Sequence, residues 1–182
     1  VSSAEARGEI SEAGKTMPFY LLARGSRGAR GWPLIMSFHG GGQDTGPSPH
    51  HSAVNNGEWE IQTSFAGSLY PEGLHFVPRM ADDNDGRWYY SYNQAIYDRI
   101  IRAAILFRDV DPNRVFINGI SEGGYVGYRI GAHMADRFAG SCSMAGAEPL
   151  STSPPENFRN LPFRCAIGEH DTAYGRIGLA RK

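Results

Sequence analysis

Val115-Phe116-Ile117-Asn118-Gly119-Ile120-Ser121-Glu122-Gly123-Gly124 is the stretch on which the reading of this chain turns. Its first three residues form an apolar, β-rich run too short for a helix, and residues 124–135 read as the helix that follows. Between them Gly119-x-Ser121-x-Gly123 fits the pattern G-x-S-x-G, in which a serine stands on a sharp strand-to-helix turn and lifts its hydroxyl above a sheet. The glycines are mechanical: a turn that tight presses its flanking residues against neighbouring backbone, where a Cβ would collide. The pattern alone is weak, since a chain of this glycine and serine content offers about 0.2 chance matches. The strand before it and the helix after it supply the context the turn requires.

Outward from this turn, strand-like and helix-like segments alternate. Residues 33–38 form a second short apolar run, ending at His39-Gly40-Gly41-Gly42, and residues 74–77 a third, closed by Pro78. Residues 142–145 and 163–167 read as two further strands. Residues 59–69 are predicted helical. A clearer helix begins at Ser91, where Ser91-x-x-Gln94 has capping-box spacing and Ile96, Ile100, Ala103, Ala104 and Phe107 recur near a period of 3.6. Asp111-Pro112-Asn113 predicts a turn after it. At the N-terminal side, residues 10–23 read as a hairpin turning at Ala13-Gly14-Lys15. Strands that are continuously apolar and alternate with helices predict an α/β chain with an open, mostly parallel sheet covered on both faces. At 182 residues, the whole of 1–182 is read as one domain.

Composition narrows the function classes. Apolar residues at 41%, aromatics at 12% and charged residues at 20% are those of a soluble globular protein rather than a disordered or fibrous one. A net charge of -1, with lysine and arginine spread along the chain, leaves no basic stripe for nucleic acid or an anionic membrane. No apolar run approaches the roughly 18 residues that cross a bilayer, and the N-terminus lacks signal-peptide layout. The acidic run Asp82, Asp83, Asp85 misses calcium-loop spacing, because about Gly86 it sets Ala81 in place of the first ligand and Tyr92 in place of the bidentate glutamate. No metal and no cofactor are expected. Cys142 and Cys165 fall on neighbouring strands, so a bridge and two buried thiols are both open, and so is the compartment, a secreted or periplasmic one included.

The candidate site follows from the order of motifs. Consecutive glycines after a strand leave backbone N–H groups bare and approachable. N–H groups from Gly41 or Gly42 and from Glu122, the residue after the serine, are the expected oxyanion hole, worth roughly 3–4 kcal/mol per donor. His39 precedes the serine and is expected to be a structural hydrogen-bonding residue of the loop.

Together these residues resemble the α/β-hydrolase superfamily, in particular serine esterases similar to polyhydroxybutyrate depolymerases and feruloyl or acetylxylan esterases. The likeness spans residues 19–176. It rests on His39 to Gly42, on Gly119 to Gly124 with its doubled glycine, and on Ile167-Gly168-Glu169-His170-Asp171. It implies a three-layer α/β-hydrolase fold and cleavage of small-molecule or polymer-linked carboxylic esters through an acyl-enzyme on Ser121. It also implies that Asp171 is the acid orienting a histidine, with Glu169 and Glu148 as lesser candidates. The doubled glycine is similar as well to that of prolyl-oligopeptidase-type peptidases, and a non-catalytic hydrolase-fold binding module is a third reading. In this superfamily the histidine follows the acid, yet residues 172–182 contain none. His170 adjoins Asp171 and points the other way in an extended segment, His133 lies on the helix after the serine, and His50, His51 and His75 precede it. The resemblance therefore implies a fold cut before its last strand and helix, with the histidine beyond Lys182. Residues 79–92, rich in aromatics, lie where such folds build pockets; a solvated acidic loop with ordinary packing aromatics is the favoured reading of them, and Arg79, Trp88 and Tyr89 are the candidate substrate contacts.

Overall fold

Residues 5–182 are described by the structure, a computed structural model. Strands β1 (Glu5–Glu12) and β2 (Lys15–Arg24) form the expected hairpin. Ala13 and Gly14 at its turn both have left-handed backbones, with φ of 50° and 75°, the geometry that matches the twist of a two-residue hairpin. Then follow β3 (Trp32–Phe38), α1 (Ala53–Leu69), β4 (Gly73–Pro78), α2 (Ser91–Phe107), β5 (Val110–Ile120), α3 (Gly124–His133), β6 (Gly140–Met144), β7 (Phe163–Ala166) and the short α4 (Arg176–Ala180). The strands make one seven-stranded sheet in the order β1-β2-β4-β3-β5-β6-β7. From β4 across to β7 all pairs are parallel; β2 pairs antiparallel with both β1 and β4.

Three layers follow from the alternation of side chains along each strand. Leu34, Met36, Phe76, Val115 and Ile117 pack with Ile96, Tyr97 and Ile101 of α2 and Val126 and Ile130 of α3. Val77, next to Phe76, faces the other way and joins Leu22 with Trp59 and Ala66 of α1. Over β5 to β7 the α1 face leaves Phe116 and Ile120 each 36% exposed, and the outer edge of β7 has no partner strand among the described residues. Among the described residues no helix is long and apolar enough to cross a membrane.

Several local expectations are corrected by long-range packing. Helix α1 begins at Ala53 rather than at residue 59, capped by Ser52, whose Oγ accepts the Asn55 N–H at 3.2 Å. The capping box at Ser91 does not form. Tyr90 holds the cap position without a side-chain bond, and Gln94 Nε2 donates instead to Tyr89 O at 3.2 Å. The buried face of α2 carries Ile96, Tyr97, Ile101 and Ala104, while Phe107 is 78% exposed. Tyr97 faces inward because its hydroxyl finds a buried acceptor, Trp88 O at 2.8 Å. The turn expected at residues 111–113 lies inside β5 as an irregularity between the pairs Trp32 with Val110 and Leu34 with Val115, with Asp111 Oδ1 accepting the Asn113 N–H at 2.9 Å. Cys142 and Cys165 are free thiols: Cys142 pairs with Arg164 and Cys165 with Ser143. Neighbours in register share a face, so the two sulfurs lie on opposite sides of the sheet.

Candidate active site

Ser121 sits at the junction of β5 and α3 with φ of 55°, a left-handed conformation that side-chain-bearing residues seldom adopt. The turn is held by Ser121 N–H to Met144 O and Gly124 N–H to Ser121 O, both 2.9 Å. The demand for glycine is one of space: a Cβ on Gly119 would stand 2.3 Å from Gly123 O, and one on Gly123 2.2 Å from Phe38 O. Half-buried Ser121 opens on a cavity of about 760 Å³, which Gly41, Gly42, Tyr89, Tyr125 and Arg176 also line.

The glycine loop lies against the serine, since a Cβ on Gly40 would come within 3.3 Å of Ser121 Cβ. Of the two expected loop donors, Gly42 N–H is taken by Asn55 Oδ1 at 2.9 Å. His39 anchors the loop from beneath. Its Nδ1 lies 2.6 Å from Gly40 O, and its Nε2 accepts the Met80 N–H at 3.1 Å. Those partners require the neutral ring protonated at Nδ1, and full burial drives its pKa down to about 3. This is the structural role expected of it.

Two of the three expected substrate contacts are turned inward. Trp88 is fully buried and donates its indole N–H to His39 O at 3.1 Å, so it supports the loop from within the core. Arg79 is 1% exposed and grips Asp83 through two bonds of 2.7 and 2.8 Å, with Asn56 Oδ1 on its Nε at 2.9 Å. Aromatic and cationic residues near a pocket read alike in sequence, but a buried guanidinium needs a carboxylate, and Asp83 is that carboxylate. Arg79→Ala is accordingly expected to cost about 3–5 kcal/mol of stability by stranding the Asp83 charge. Denaturant titration checks this; unchanged stability with a raised KM would return Arg79 to the substrate. Tyr89 does line the cavity, with the Arg129 guanidinium 3.9 Å above its ring.

The Glu122 side chain is buried beside Ser121. Arg87 Nη1 meets its Oε2 at 2.8 Å, while Oε1 has no hydrogen-bond partner among the described residues. Burial, only partly offset by Arg87 and reinforced by the Glu148 carboxylate, lifts its pKa from 4.5 to about 7. Between those values the folded protein holds a proton that the unfolded chain has released, so this group makes stability fall as pH rises through that window. Glu122→Gln is expected to remove the contribution, narrowing the change in Tm between about pH 5 and about pH 8. Thermal scans of the two proteins at both pH values check it, and an unaltered change in Tm refutes it.

Asp171 follows β7 on the cavity side, its Oδ1 accepting the Ala173 N–H at 3.2 Å. Arg176 connects it to the serine: Nη1 reaches Asp171 Oδ2 at 3.4 Å, Nη2 reaches Ser121 Oγ at 3.3 Å and Nε reaches Tyr125 OH at 3.4 Å. The lesser acid candidates stand elsewhere. Glu148 is committed to Arg129 through bonds of 2.7 and 3.1 Å, and the side chain of Glu169 is 87% exposed. None of the six histidines lines the cavity. Arg87, Tyr125, Tyr174 and Arg176 were not legible as site residues, although Tyr125, in the first turn of α3, lies where the motif itself places the cavity.

No protein-family model matches the chain. It is 31% identical over 185 residues to NocK, a proposed esterase of Nocardia uniformis subsp. tsuyamanensis, a match covering 94% of this chain and 50% of that protein. The chain thus spans about half the length of the curated relative it matches. Among solved structures, a thermostable esterase superposes with a TM-score of 0.70 at 19% identity, covering 98% of this chain and 49% of that one. The feruloyl esterase module of Clostridium thermocellum, solved with sinapinate, superposes with a TM-score of 0.65 at 11% identity, covering 98% and 71%.

Proposed function

We propose that this chain, whose fold is that of the α/β hydrolases, is part of a serine hydrolase that cleaves carboxylic esters through an acyl-enzyme on Ser121. The observation that carries the reading is the left-handed turn at Ser121, set between β5 and α3 and against the glycine loop. The sequence relationship to NocK supports esters as the substrate class.

In the proposed reaction Ser121 Oγ attacks the ester carbonyl carbon and gives its proton to a general base. N–H groups of Glu122 and the glycine loop hold the oxygen of the tetrahedral intermediate. Its collapse expels the alcohol, which takes up the proton, and water then hydrolyses the acyl-enzyme to the acid and the regenerated serine. Arg176 touches Ser121 but cannot be the base, because a guanidinium stays protonated. His39 has both ring nitrogens engaged, and the His170 side chain is 93% exposed and directed to Glu169. The base is therefore none of these side chains, and Asp171 is assigned to orient it. Tyr89, Tyr125 and Tyr174 around the cavity are assigned to flat substituents of the ester.

The test is the full-length protein with short p-nitrophenyl esters and with a fluorophosphonate probe. Ester turnover is expected, together with covalent label on the peptide carrying Ser121. Label on another residue defeats the mechanism, label without turnover favours a binding module, and faster turnover of matched peptide amides favours a peptidase.

A further inference from the structure

We propose that Asn55 is a positioning residue of the oxyanion hole: it fixes Gly42 at both its backbone atoms and thereby leaves the Gly41 N–H as the loop's donor to the intermediate. The proposal rests on the reading of Ser121 as an ester nucleophile.

Asn55 lies in the first turn of α1, is fully buried, and makes no contact that a helix start requires of its side chain. Its amide instead grips the glycine loop. Oδ1 accepts the Gly42 N–H at 2.9 Å, and Nδ2 donates to Gly42 O, also at 2.9 Å. The second Nδ2 hydrogen goes to Asp83 Oδ1 at 2.6 Å.

That last bond removes the ambiguity of an amide, whose two ends are otherwise interchangeable. Asp83 is held by both terminal nitrogens of Arg79 and receives the Ser52 N–H at 2.8 Å. An ionised carboxylate only accepts, so the amide must turn its NH2 group towards Asp83, and its oxygen then meets the Gly42 N–H. Buried Arg79 and Asp83 thus act on the loop through Asn55.

The consequence falls on Gly41. Its backbone is left-handed, with φ of 94°, and a Cβ there would stand 2.0 Å from Asn55 Oδ1. Asn55 therefore occupies the space on one side of Gly41 while Gly41 lines the cavity with Ser121 and Glu122. With Gly42 N–H taken, Gly41 N–H has no acceptor among the described residues. A donor aimed in advance at the developing charge is the kind of group whose displacement lowers turnover without weakening substrate binding.

The test compares Asn55→Ala with the full-length parent. Active sites are counted with the fluorophosphonate probe, and kcat and KM are measured per counted site on a p-nitrophenyl ester. A fall in kcat of ~10- to 100-fold with KM within ~2-fold is expected. An unchanged kcat per site, with only fewer sites or a lower Tm, overturns the proposal by showing that Asn55 merely supports the fold. Asn55→Asp, equal in size but unable to donate to Gly42 O, is judged by the same criterion if the alanine variant does not fold. Amide hydrogen exchange gives a readout independent of turnover: Gly42 is expected to be protected and Gly41 not, and an unprotected Gly42 overturns the clamp. The parent's own turnover separates the two readings. An active parent whose Asn55 variants keep kcat defeats only the assignment of Asn55, and an inactive parent defeats the ester reading and this role with it.

Discussion

Ser121→Ala is expected to lower kcat/KM of the full-length protein towards p-nitrophenyl esters by at least ~10⁴-fold, because the oxyanion donors and the binding cavity alone supply only a residual acceleration. The same substitution is expected to leave Tm close to that of the parent. Among the described residues the hydroxyl makes one side-chain hydrogen bond, accepted from Arg176 Nη2 at 3.3 Å, and alanine meets the left-handed backbone at 121 with much the same strain as serine. Activity and stability therefore separate at this position, which a structural serine would not allow. Turnover within about tenfold of the parent would remove Ser121 from the mechanism.

Gly123→Ala is expected to yield no folded protein. The backbone at 123 is ordinary, with φ of -64° and ψ of -26°, so alanine would lose nothing in its own conformation and would reduce the entropy of the unfolded chain. The whole effect is steric. The added methyl would stand 2.2 Å from Phe38 O, 2.6 Å from Phe38 C and 2.7 Å from His39 O. All three are backbone atoms where β3 passes into the glycine loop, and none can turn aside as a flexible side chain would. Relief requires α3 to withdraw from β3, which also parts Ser121 from the loop. Gly168→Ala is the control, with nothing within 4 Å of its Cβ, and its stability is expected within about 0.5 kcal/mol of the parent. Expression, circular dichroism and thermal scans compare the two. A Gly123→Ala protein melting with the parent would show that the elbow is not packed against β3.

What could be read in advance is what short stretches of chain decide for themselves. A brief β-rich run, a turn dense in glycine and a helical period follow one another between residues 115 and 135, and the resulting strand, elbow and helix are found there. The hairpin at Ala13-Gly14 is equally local. Reading failed where a residue answers to a distant partner. Residues 43–57 read as a polar stretch, yet α1 begins within them at Ala53, where Asn55 buries its amide against residues 42 and 83. The face of α2 is set by an acceptor outside that helix, Trp88 O.

The site divides in the same way. Ser121 and the glycine loop were legible because a left-handed turn and bare amides demand particular residue types wherever they occur. Arg79 and Trp88 carry the chemistry of ligand contacts, and only tertiary structure decided that one neutralises Asp83 and the other braces His39. The sequence by itself determined the class of fold, the order of its strands and helices, and the placement of the serine at a kink, all governed by backbone sterics over a few residues. The assembled chain alone decided which donors remain available and which charges are sealed inside, because burial and hydrogen bonding across tens of residues depend on what the sheet brings together.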